Sequence, residues 1–99
     1  MPPAKYDILS ENKADRQMEG YLAKIDGTPL LAQFEVELKL VELRLRSRPF
    51  RWGEKKYRRK GGNGLVGTIC AGICTLFWIR YVVYPQINLV LITEFGGRI

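Results

Sequence analysis

Ninety-nine residues limit this chain to one small domain, and the absence of histidine removes most imidazole acid–base chemistry and the usual protein-only zinc site. The formal net charge of +6 is not spread evenly: residues 44–60 carry nine basic side chains and one acidic, whereas residues 1–43 carry five basic and eight acidic. The positive charge is therefore a local block, which points to one anionic contact region rather than to a generally basic protein.

The N-terminal stretch has no apolar core of signal-peptide type. Its early acids, Asp7, Glu11 and Asp15, argue against an Arg-rich transit peptide, so any organelle address is expected inside the chain. Ser10 suits an N-cap, and Ala14, Met18, Tyr21 and Ile25 form one apolar stripe, which predicts a helix from Ser10 to about Leu22. Asp26-Gly27 marks a turn, Thr28 can cap, and Pro29 stands at a first helical position.

The segment that follows fits two periods. Phe34, Val36, Leu38 and Leu40 alternate with polar residues as in a strand, while Phe34, Leu38, Val41 and Leu45 form a helical stripe and Val36, Leu40 and Leu43 form a second one. Good helix formers, the pairs Glu35–Lys39 and Glu42–Arg46, and acids placed before bases favour a helix from Pro29 to about Arg46. Two stripes need two covering surfaces, one of them expected on another protein; the alternative is an ordinary helical hairpin with the second stripe partly exposed.

Pro49 ends that helix and begins a basic-aromatic segment, residues 49–63, which contains no catalytic pattern. "GGNG" lacks the Gly-Lys-Ser/Thr ending of a phosphate loop and reads as a chain breaker. From Gly64 to Tyr84 only Arg80 is charged, and a helix of that length spans about 30 Å, the thickness of a bilayer core. Trp52 and Tyr57 before it, and Trp78, Tyr81 and Tyr84 after it, suit interfacial anchors, which predicts a transmembrane helix. Basic residues just before the span, Arg51, Lys55, Lys56, Arg58, Arg59 and Lys60, place the N-terminal part in the cytoplasm or the mitochondrial matrix. Together with Arg80 they suit anionic phospholipids, cardiolipin among them, or acidic partner loops. The rival reading of the cluster is RNA contact, with Trp52 or Tyr57 stacking on bases.

Within the span Gly64, Gly67, Thr68, Ala71 and Gly72 predict a small-residue face for another membrane helix. Cys70 and Cys74 read as small apolar residues, since helical spacing gives a poor disulfide. Residues 85–99 are apolar and fit either an extended strap or a helix continuing past a kink.

The string "KIDGTPL", Lys24 to Leu30, is similar to a stretch in a small accessory subunit, of the beta group, in the membrane arm of mitochondrial NADH:ubiquinone oxidoreductase. The order of elements after it also resembles that family: a helix, a segment holding Pro49, Phe50, Trp52, Glu54, Tyr57 and Arg58, then an apolar stretch. The family's Asp-Pro-Trp is replaced by Arg48-Pro49-Phe50. The resemblance implies a subunit without catalytic centre, cofactor or metal, packed against the pumping core and supporting assembly of the complex. The combined expectation is an all-α, single-pass protein of the mitochondrial inner membrane. Its N-terminal amphipathic region, residues 1–48, would lie in the matrix, followed by the juxtamembrane segment, the span at 64–84 and the tail at 85–99. ATP synthase, cytochrome bc1 and cytochrome oxidase remain alternative parent complexes.

Overall fold

A computed structural model describes residues 5–60 and 64–98, apart from the side chains of Lys56, Tyr57 and Arg59. The chain is mixed α/β rather than all-α. In order it forms β1 (Asp7–Ser10), α1 (Asn12–Ile25), α2 (Leu30–Ser47), the single turn α3 (Pro49–Trp52), β2 (Glu54–Lys60), β3 (Val66–Ile73), β4 (Phe77–Tyr84) and β5 (Leu89–Gly97). The strands make one five-stranded sheet in the order β1-β5-β4-β3-β2. β1 runs parallel to β5, and β2 through β5 form an antiparallel meander.

Both long helices form where the sequence predicts them. In α1 Ala14, Tyr21 and Ile25 are buried and Met18 packs against the core, so the expected stripe faces inward. Its start lies at Asn12 rather than beside Ser10, whose hydroxyl donates to the Asp15 carboxylate instead of capping the backbone. Gly27 takes φ +75°, a left-handed conformation that suits glycine, and makes the turn into α2. The Thr28 hydroxyl donates to the Ile25 carbonyl at 2.6 Å and accepts the Leu30 N–H at 3.3 Å. Residues 34–46 are helical, with Phe34, Val41 and Leu45 buried and Leu38 packed beside them.

The apolar stretch does not form a membrane-spanning helix. Among the described residues no helix is long and apolar enough to cross a membrane. The expectation of a single-pass inner-membrane protein with a matrix N-terminus therefore falls. Residues 66–84 are instead a hairpin: Ile73 pairs with Trp78, and the Cys74 N–H donates to the Phe77 carbonyl at 2.7 Å. β-Branched and aromatic residues dominate this stretch and suit a pleated surface, while Gly67 and Gly72 disfavour a helix. In β4 burial alternates, with Phe77, Ile79, Tyr81 and Val83 pointing at the helices. A carboxylate from α2 fixes the turn: Glu37 Oε1 accepts the amides of Thr75 at 2.8 Å and Leu76 at 3.4 Å.

The tail is neither a strap nor a kinked helix. A 3-10 turn at Pro85–Ile87, closed by Asn88 at φ 49°, returns it as β5 between β1 and β4. Beyond the end of β1, α1 satisfies the exposed edge of β5: the Gln17 side-chain oxygen accepts the Phe95 N–H at 2.9 Å.

Four rings from four elements make the core. Phe34, Phe77 and Phe95 lie with centroids 5.3–6.1 Å apart, and Tyr21 stands 5.7 Å from both Phe34 and Phe95. Among the described residues no helix covers the opposite face of the sheet. There Leu9, Leu91, Val82 and Ile69 are cross-strand neighbours in one apolar row.

Candidate nucleic-acid interface

β2 is the free edge strand beside β3, and it carries most of the basic block. Charged edge strands resist pairing with other sheets, so some of these residues need no further role. The register puts Lys60, opposite Val66, on the same face as Lys55 and Arg58, and the last two line a groove there. Lys55 lies opposite Cys70 and Arg58 opposite Thr68, but the ladder shifts between Lys55 and Tyr57. In a regular strand residues 55 and 58 would point to opposite faces; the bulge turns both to the helix-side face.

Lys55 and Arg58 meet Phe50, Val66, Thr68, Pro85 and Gln86 around an open groove of about 520 Å³. The Lys55 ammonium sits 4.8 Å above the Phe50 ring, which holds the cation beside an aromatic surface. No carboxylate lines this groove among the described residues. Arg80 is different: it lies on the helix-free face, 3.3 Å from Glu94, which Lys13 also meets at 3.3 Å. Among the described residues the two cations of the groove thus face no lining carboxylate, unlike Arg80.

Behind the groove the sheet is rigid. The Tyr81 hydroxyl donates to the Pro49 carbonyl at 2.8 Å and accepts the Gly53 N–H at 3.0 Å, clamping α3 to β4. Burial raises the Tyr81 phenol well above its ordinary value, so it stays a neutral donor. Trp52 stacks on Tyr81 with centroids 5.9 Å apart, and any Cβ on Gly72 would collide with its ring. Cys70 is buried and its thiol is pushed up, first by desolvation, against smaller opposing effects of Tyr81 and Lys55. Cys74 is also pushed up, first by burial and then by Glu37. Neither thiol has the lowered value of a reactive cysteine.

The predicted site residues are thus redistributed. The small-residue face does not exist as a stripe: Gly67 lies under Val82 and Tyr84 on the helix-free side, Ala71 is half-buried in register with Arg80, Gly72 lies under Trp52 on the helix side, and Gly64 precedes β3. Thr68 lines the basic groove. The expected anchors divide likewise. Trp78 covers Gly96 and Tyr84 covers Gly67 on the open face, whereas Tyr81 is wholly buried and Trp52 is held between Tyr81 and Gly72. Arg51 belongs to a different cleft, and Lys60 ends β2 exposed. The side chains of Lys56, Tyr57 and Arg59, and the "GGN" at residues 61–63, lie outside the described residues. Sequence reasoning missed Gln86 and Pro85, which reach the groove only because the β4–β5 turn folds back beside β2.

Comparison with known proteins adds no assignment: no family model, curated protein or solved structure matches the chain. The string on which the resemblance rests, Lys24 to Leu30, runs from the end of α1 through the turn to the start of α2, and the spanning helix which that resemblance implies is not formed among the described residues.

Proposed function

We propose that the chain is a binding protein for single-stranded RNA, gripping the phosphate backbone in the groove of Lys55 and Arg58. The observation that carries the reading is the bulge in β2, which brings two cations together beside Phe50 in a concavity that no carboxylate lines among the described residues. Phosphate contacts of this kind supply affinity without sequence choice, and the Phe50 ring under Lys55 holds that cation in place for them. Anionic phospholipids offer the same phosphate chemistry, but an open concave groove suits a single phosphate backbone better than a flat headgroup layer. Trp52, which stacks on Tyr81, is not free to intercalate between bases.

Titration of labelled single-stranded RNA in gel-shift and anisotropy assays, over a salt series, tests the reading. Binding should weaken steeply with salt, and Lys55→Gln and Arg58→Gln should each reduce the log–log slope by about 0.7. Phe50→Ala, which removes the ring beneath the Lys55 ammonium, should weaken binding by about 0.5–1 kcal/mol. Matched DNA measures the contribution of the 2′-hydroxyl, and the same gels report any scission of the strand. Equal RNA affinity for wild type and the Lys55→Gln/Arg58→Gln double variant would refute the reading. Binding to cardiolipin vesicles in preference to RNA would replace it with the lipid alternative.

A further inference from the structure

The second apolar stripe of α2 is left outside the fold. Val36, Leu40 and Leu43 are 62%, 50% and 60% exposed, whereas the first stripe is covered by the sheet. Leu40 borders a cleft of about 440 Å³ whose apolar surface also includes Trp52 and Ile73, the latter 67% exposed. Arg44 and Trp52 are shared with a second cleft of about 370 Å³, which adds Arg48 and Arg51. The two clefts run together along the C-terminal half of α2 and are separate from the groove of Lys55 and Arg58.

Charge selects the occupant. Arg44, Arg48 and Arg51 have no ion-pair partner among the described residues. Glu37, the one acid in the first cleft, already accepts the Thr75 and Leu76 amides. A second copy of the chain would bring two such arginine clusters together, which net positive charge opposes. Nucleic acid would find aliphatic side chains here rather than open aromatic faces, because Trp52 is stacked on Tyr81. The exposed residues recur at helical spacing, so a helix laid beside them can seat its own apolar ridge.

We infer that this surface docks an acidic amphipathic helix of a partner protein, its leucine-type ridge on Leu40, Leu43 and Ile73 and its carboxylates on Arg44, Arg48 and Arg51. The contact needs neither Lys55 nor Arg58, so it can be tested independently of RNA binding.

The probe is a fluorescein-labelled stapled helix with leucine at i, i+3 and i+7 and glutamate at the outward positions, titrated against the full chain by anisotropy. Binding is expected for this peptide and not for its lysine-for-glutamate counterpart. Leu40→Ser/Leu43→Ser and Arg44→Gln/Arg48→Gln should each weaken it by about tenfold or more. These side chains lie at the surface, and unchanged melting curves together with unchanged RNA titration would show that the variants fold. Equal binding of the two peptides, insensitivity to both double variants, or displacement of the peptide by RNA would overturn the inference. So would a dimer in sedimentation that depends on Leu40 and Leu43.

Discussion

The two faces of the sheet use the same device, an aromatic ring laid over a glycine, under opposite conditions. On the helix side Trp52 covers Gly72 while stacking on Tyr81, whose hydroxyl bonds to Pro49 and Gly53. On the open side Trp78 covers Gly96 and Tyr84 covers Gly67, with no helix above them. A ring stacked on a hydrogen-bonded partner loses that stack when it moves, whereas a ring that only covers a glycine has less to lose. The helix-side pair therefore fixes the position of α3 and with it the wall of the basic groove, while the open-side pairs only smooth a surface.

Substitution of the glycines is the sharpest way to break that comparison. Gly72→Val should lower stability by about 3 kcal/mol, at the upper end for overpacking, because displacing Trp52 also breaks its stack on Tyr81. Gly96→Val should cost less, about 1 kcal/mol, as Trp78 swings outward; chemical denaturation compares the two. Equal losses would show that both rings are equally confined.

Tyr81→Phe comes next. It leaves the Pro49 carbonyl and the Gly53 N–H without their partner and should cost about 1–3 kcal/mol. The pH dependence carries a second signature. Unfolded tyrosine titrates near 10, and burial raises Tyr81 above that in the folded chain, so the folded state keeps its proton longer. Its contribution is full below pH 10 and is lost above it, by up to about 1.4 kcal/mol per pH unit. The Phe variant should lack that part of the alkaline slope in denaturation curves taken across this range.

Glu37→Gln tests the link between α2 and the β3–β4 turn. An amide oxygen can still accept from Thr75 and Leu76, but without the charge, so a loss of about 1 kcal/mol is expected, and more for Glu37→Ala. The smallest effect belongs to the open face. Arg80→Ala should change stability by no more than about 1 kcal/mol, since its bond to Glu94 is exposed, and added salt should shrink the difference further.

What was legible in the sequence follows the same division. Helix α1 declares itself by a single apolar stripe, whereas α2 also fits a strand period and needs its helix-forming residues and i,i+4 pairs to tip the reading. The β3–β4 hairpin hides because its strands are apolar on both faces: Phe77, Ile79, Tyr81 and Val83 face the helices, while Trp78 and Val82 face outward among other apolar side chains. Period-two alternation then disappears, and two eight-residue strands joined by a tight turn imitate the length of a membrane span. The turn at Thr75–Leu76 carries no Gly, Pro, Asn or Asp, because its amides are satisfied by a glutamate 38 residues earlier in the chain. The basic block was visible by charge alone, but which of its members act together was not. That depended on the register of β2, which no local pattern announces.

The bulge at Lys56 also makes the groove a matter of counting. Between Lys55 and Tyr57 the edge strand spends one residue that has no partner on β3. A chain lacking Lys56 should close into an unbroken ladder with Lys55 still opposite Cys70 and Arg58 still opposite Thr68. One residue can thus be lost from the most basic stretch of the protein without turning its charges to the other side, whereas the same loss within β3 would exchange the two faces of that strand.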